Sequence, residues 1–382
     1  AGSGALNYTS GAPRISIYGS GSLGGGAGAL NFYDLTALDI GTLTLNSTTS
    51  VFNVLEAGQK TWKLVGTYEP LSIGQNFIAS SSTFKYEAAG NATVTPATYY
   101  NLEIVPSAGS PTFFLGTTTG QTITVQNNFT VGGTGNAVVD ANNYDPVLDF
   151  NGNFTIGNSD VFLASASSAF ALAGDFANNG AFTHNNGAVI LDTTNTSTVT
   201  SVASMSFYNL TSVVPGKTIL FQAHSSDVPT FIIANILTVT GAQGNNINVR
   251  SNALGGRWLV NFTTPNSSVS YATLRDSGCA AGSLSVPFNI TNSGDGNNGS
   301  CWNIGNMGAS GENVTIPEGA TEMGGGGGSL QTGGGQAAGI VFGLEIDLGT
   351  EIDGGQGSVA SGGNAGGGGE TVAGGGAGGA SP

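Results

Sequence analysis

Apolar residues recur at every second position in short runs along most of this chain. Phe154 and Ile156, Phe170 and Leu172, and Val189 and Leu191 each alternate with small or polar neighbours. A period of two marks a strand with one buried face. Asn-Gly, Gly-Asn and Asn-Asn-Gly separate the runs, and both residue types tolerate positive φ, so these segments read as turns. No helical period intervenes across residues 149–211. The strands also repeat: NFTV at 128–131, NFTI at 153–156 and GDF at 174–176 place Phe129, Phe154 and Phe176 25 and then 22 positions apart. That period is the length of one coil of a β-solenoid, which needs coils above and below to bury its apolar face. The pattern predicts an all-β chain, a right-handed parallel β-helix of about ten to thirteen coils. Phe129, Phe154 and Phe176 should form an inward ladder.

A second signal is the motif FYDL at 32–35, YYNL at 99–102 and FYNL at 207–210, which reads as the end of three modules of unequal length. Residues 1–38 begin inside such a module, with Leu6, Tyr8, Ile15 and Ile17 placed like interior strand residues. Solenoids need polar caps, so an edge of this kind is expected to be covered by another subunit. Trp62 reads as buried, with Lys60 and Lys63 as solvated neighbours. Continuous apolar runs such as Phe231-Ile232-Ile233 fit parallel strands covered on both faces. Trp302 closes the regular region, giving a β-solenoid domain over 1–303.

Residues 304–382 form a second region, a Gly-rich acidic tail without Lys or Arg. Composition alone makes it a linker, but GIVFGLEIDL at 339–348 interrupts it. Ile340, Phe342, Leu344, Ile346 and Leu348 share one face of a strand there. A half-buried strand between glycine runs needs a sheet edge to join, so 339–352 is a candidate exchanged strand between subunits.

Composition narrows the partners. The chain has 382 residues, of which 64 are Gly and 8% are charged, and a net charge of −15. An average soluble domain is about 25% charged, so surface polarity here comes from Asn, Ser and Thr. The negative charge argues against nucleic acid and anionic membrane, and no apolar run of about 18 residues exists to insert in a bilayer. The chain starts AGSGALNY without Met, which reads as an exported protein with its signal removed. Cys279 and Cys301 then read as a disulfide across a Gly/Asn-rich turn, with two buried thiols as the other reading.

Candidate chemistry is sparse. Asp140, Asp145 and Asp149 are the nearest approach to a carboxylate cluster, but no basic residue lies beside them, and they read as solvated turn residues. GGTGN at 132–136 resembles half of a Gly-rich calcium repeat, and DGNNGS at 295–300 has oxygens at calcium-loop spacing without the closing Glu. Calcium is therefore a weak option, and no other cofactor is indicated. His184 and His224 are isolated from each other and from both cysteines. Sequons are frequent, and Asn46, Asn91, Asn128, Asn261 and Asn289 are candidate glycosylation sites, although Asn/Thr strand chemistry also accounts for them.

The succession FYNLT, PGKTILF, ILTVTGAQGNNINVRS, RWLVNFT, VSYATLRDSGC and NSGDGNNGSCW resembles bacterial exported β-helix repeat proteins, the haemagglutinin-like surface proteins. The resemblance covers about residues 5–303 and implies a parallel β-helix, with no catalytic motif to carry over. Three functions compete: a self-assembling structural subunit of an extracellular filament or layer, a cell-surface adhesin with a β-helical stalk, and a carbohydrate-active enzyme. Few charged residues and histidines stand against the enzyme. The tail strand favours the non-catalytic subunit, whose partners are copies of itself, with cell-surface or environmental carbohydrate as a further candidate.

Overall fold

The computed structural model describes residues 14–25, 28–167, 169–225, 229–289, 294–296 and 298–304. These residues form strands and turns with no helix. The strands stack as a β-solenoid of about 12 turns. Strand after strand falls in rotation onto three parallel sheets. Asn153–Ile156 lies on the first, Val161–Leu163 on the third and Ala169–Leu172 on the second, before Phe176–Asn178 returns to the first. The first sheet is an unbroken ladder of thirteen strands from Gly21–Leu23 to Gly294–Gly296, every neighbour parallel.

Alternation decides what lies inside. In Asn153–Ile156 the residues Phe154 and Ile156 are buried while Asn153 and Thr155 face outward. Parallel register then aligns like with like. Phe129 pairs with Phe154 and Phe154 with Phe176, and the ring centroids lie 5.4 and 4.9 Å apart. All three are no more than 1% exposed, so the predicted inward ladder is present. The stack continues upstream in register through Leu102, Phe84, Trp62 and Leu43. Each fully buried aromatic or aliphatic side chain contributes about 1.5–3 kcal/mol of transfer free energy.

The aromatic-aromatic-Asx-Leu motif has a different meaning from the module end expected above. The three register shifts among the described strand pairs fall at Phe32/Asp34, Tyr99/Asn101 and Phe207/Asn209, each inside a copy of the motif. At each shift one tyrosine, Tyr33, Tyr100 or Tyr208, stands opposite two residues of the next coil, Phe52-Asn53, Gln126-Asn127 or Ala234-Asn235. The extra residue of the bulge therefore lies in the following strand, at the corner where a continuous strand passes from one sheet to the next. The Asx side chain bonds the following coil. Asp34 Oδ1 accepts from Asn53 Nδ2 (2.8 Å) and the Val54 amide (3.1 Å). Asn101 Oδ1 accepts from Asn127 Nδ2 (2.9 Å) and the Asn128 amide (3.2 Å), and Asn209 Oδ1 accepts from Asn235 Nδ2 (2.9 Å). Leu102 follows its bulge into the first sheet, beside Phe129, whereas Leu210 enters the second, beside Val189. The motif therefore marks a corner and not a fixed place in the coil. Asn209→Ala should lower stability by about 1 kcal/mol, measured by denaturant unfolding.

Coils approach closely at turns. At the Asn151-Gly152 turn, a Cβ on Gly152 would stand 1.4 Å from the Asn127 carbonyl oxygen, so only glycine fits there.

The last coil is clamped to the one before it. Cys279 and Cys301 form a disulfide with Cα atoms 5.7 Å apart. Beside it, Trp302 Nε1 donates to Ser277 Oγ (2.8 Å), which donates to Asn298 Oδ1 (2.6 Å). Asn298 Nδ2 donates to the Leu274 carbonyl (2.9 Å). In the chain-entropy account a loop of this size stabilises by roughly 3 kcal/mol. Cys301→Ser should therefore accelerate amide exchange around Ser277 and Trp302 while leaving the Phe154 region protected, as read by hydrogen-exchange mass spectrometry.

Candidate functional site

The structure separates the carboxylates considered for catalysis. Asp140 lies on the third sheet and Asp149 on the second, with Asp145 in the turn between their strands. Each accepts local or inter-coil hydrogen bonds. Asp140 Oδ1 holds the Asn143 amide (3.0 Å), and Asp149 Oδ2 the Thr124 hydroxyl (3.3 Å). Asp145 holds the amides of Ala166 (2.7 Å) and Ser167 (3.0 Å) and the Ser167 hydroxyl. The calcium candidates are likewise engaged in coil contacts: Thr134 Oγ1 donates to the Ser107 carbonyl (3.0 Å), and Asn298 is bound to Ser277 and Leu274. Among the described residues no three His, Cys, Asp or Glu side chains gather as a metal site. His184 Nδ1 accepts from the Asn186 amide (2.9 Å), and burial lowers its pKa. His224 lies elsewhere, its Nδ1 3.2 Å from the Pro229 carbonyl.

Lys60 corrects the sequence reading. Trp62 is buried as expected and donates from Nε1 to the Ala57 carbonyl (3.0 Å). Lys60, expected in solvent, is 0% exposed. Its ammonium donates to the carbonyls of Gly19 (2.7 Å) and Ile40 (3.2 Å) and pairs with Asp39. That bond, with a second from the Gly19 amide, holds the Asp39 carboxyl below its ordinary range. Lys63 sits at the surface and pairs with Glu87 at 2.9 Å. Lys217 repeats the arrangement, fully buried just before Thr218–Phe221. Its Nζ donates to the carbonyls of Thr193 and Asn195 (2.8 Å each) and to Ser197 Oγ (2.9 Å). Both lysines close carbonyl-lined turns of earlier coils, Lys217 in the coil before it and Lys60 in the two before it, a structural role.

The surface divides into zones. Large apolar side chains exposed to solvent are Tyr18, Leu38, Ile40, Phe52, Val65, Tyr68 and Ile78 in the first coils, and Val202, Val213, Leu254 and Leu284 in the last. Among the described residues between 79 and 201 there is none. Tyr18 (70% exposed) and Leu38 (50%) directly follow the paired strands Ile15–Ile17 and Leu30–Ala37, so they lie side by side at one corner, with Ile40 (70%) two residues on. Ile78 (49%) instead ends its own strand in register with Glu56. Between the apolar ends, the outward face of the first sheet is polar. Asn101, Glu103, Asn128, Thr130, Asn153 and Thr155 line a concave patch of about 260 Å³.

Of the subunit-contact candidates, Ile15 and Ile17 lie in Ile15–Ile17, paired with Leu35 and Ala37 and half-buried against the core. Leu6, Tyr8, Ile340, Phe342, Leu344, Ile346 and Leu348 lie outside the described residues. Among the sequons, Asn46 and Asn91 are exposed, Asn128 and Asn261 are half-buried, and the Asn289 side chain lies outside the described set. Comparison with protein-family models, curated proteins and solved structures gave no match.

Proposed function

We propose that the protein is an extracellular, non-catalytic structural subunit that associates end to end with copies of itself into a surface filament or layer. The observation that carries this reading is the distribution of exposed large apolar side chains, crowded in the first coils, sparse from Val202 onward and missing from the described residues between 79 and 201. Exposed apolar residues scattered singly need no explanation, but the cluster of Tyr18, Leu38 and Ile40 on adjacent coils does. End-to-end contact covers that cluster, as solenoid ends require. In this proposal the tail strand at 340–348 joins one subunit to the next.

Sedimentation velocity on the full chain tests it. The wild type should shift to larger species as concentration rises, and Tyr18→Asp/Ile40→Asp should remain a monomer with an unchanged circular dichroism spectrum. Phe342→Asp/Leu344→Asp should weaken association in the same way if the tail strand is the connector. A wild type that stays monomeric at every concentration contradicts the proposal.

A further inference from the structure

We infer that the outward face of the first sheet, centred on the concave patch at Asn101, Asn128 and Asn153, binds a neutral extended polysaccharide. This reading is independent of self-association, because it concerns the coils that carry no exposed apolar residues. Register makes the face a two-column array. Thr83, Asn101, Asn128 and Asn153 occupy one column, and Lys85, Glu103, Thr130 and Thr155 the other. Strands about 4.8 Å apart repeat the same groups at even intervals, which suits a polymer that repeats its own hydroxyls.

The lining chemistry selects among ligands. An Asn side chain carries two donors and an acceptor, and a Thr hydroxyl both donates and accepts, matching sugar hydroxyls, which also do both. Glu103 is neutralised by Lys85 at 2.7 Å, so the patch offers no net charge to an ionic polymer. The chain's net charge of −15 disfavours acidic polymers generally. A protein partner would want an apolar anchor, and the face has none. Part of the array is already fixed: Asn101 Nδ2 donates to Thr83 Oγ1 (3.2 Å), and Asn153 Oδ1 accepts from the Asp175 amide (2.9 Å). These bonds hold the amides in place, while the Asn128 side chain and the hydroxyls of Thr130 and Thr155 have no protein partner among the described residues. Tyr100, half-buried opposite Gln126 and Asn127, precedes Asn101 at the corner of this face.

The test is calorimetric titration of the full chain with three probes: β-1,4-linked glucose oligosaccharides, β-1,4-linked N-acetylglucosamine oligosaccharides, and polygalacturonate as the acidic comparator. At least one neutral oligosaccharide should bind with a Kd below about 1 mM, a free energy beyond roughly −4 kcal/mol. Asn128→Leu/Thr130→Val/Thr155→Val should weaken it at least ten-fold with an unchanged unfolding midpoint. Tyr18→Asp/Ile40→Asp should bind as the wild type does, which separates this inference from the assembly proposal. Failure of both neutral probes to bind at millimolar concentration overturns it. So does preference for polygalacturonate, or a triple variant that binds as tightly as the wild type.

Discussion

Phe154→Ala is expected to lower the stability of the solenoid by about 3–5 kcal/mol, the range for removing a fully buried Phe. Phe154 sits at the centre of an aromatic cluster, with ring centroids 4.8 Å from Phe162, 4.9 Å from Phe176, 5.4 Å from Phe129 and Phe150, and 5.6 Å from Phe170. Those rings come from all three sheets, so the cavity would face each of them and parallel stacking leaves little room to collapse. Solenoid stability is nearly a sum of coil terms and nearest-neighbour interfaces. The defect should therefore also uncouple the coils on either side, broadening the denaturant transition or splitting it in two. Thr155→Ala, one residue along and facing outward, should change stability by less than about 0.5 kcal/mol. A Phe154→Ala midpoint close to the Thr155→Ala midpoint would contradict the packing described here.

A second large effect concerns pH. Burial pushes the Lys217 ammonium down to about 8, with the carboxylates of Asp192 and then Asp175 pulling it back up. In the unfolded chain a lysine titrates near 10.4. Between these values the unfolded chain binds the proton more tightly than the folded chain, so stability rises with pH across that window. From pH 8 to pH 10 the rise is about 2 kcal/mol, at 1.36 kcal/mol per unit. The trend then reverses. Tyr86 and Tyr99 are buried with their hydroxyls 3.1 Å apart, and burial raises both pKa values. Unfolded tyrosines ionise near pH 10, so their contribution is present below that pH and lost above it. Denaturant unfolding from pH 7 to 11 should show a maximum near pH 10. Lys217→Met should remove the rise and keep the fall; an equal rise in that variant would assign it to another group.

The coil period was legible because Asn-Phe-Thr recurs with little change around Phe129 and Phe154, and parallel register converts sequence repetition directly into stacking. Lys60 shows where such reading fails. It has the same parity as Trp62 and Leu64 and so points inward with them, yet its charge argued for solvent. Only the fold reveals carbonyls from two earlier coils waiting for an ammonium. The FYNL motif was visible as a repeat but not as a corner, because the extra residue of the bulge lies in the following coil and not in the motif itself. The apolar cluster was hidden for a similar reason. Tyr18 and Leu38 lie in unrelated local sequences and meet only because their coils stack. The polar face was half visible, since Asn and Thr were expected to supply the surface, but its concavity depends on three strands at once.

Self-association is the central claim, and negative-stain electron microscopy of the full chain tests it most directly. About 12 coils at about 4.8 Å each give a solenoid of roughly 60 Å. The account predicts rods longer than this, growing in steps of one solenoid length as concentration rises. Particles of uniform single-solenoid length at every concentration would contradict it.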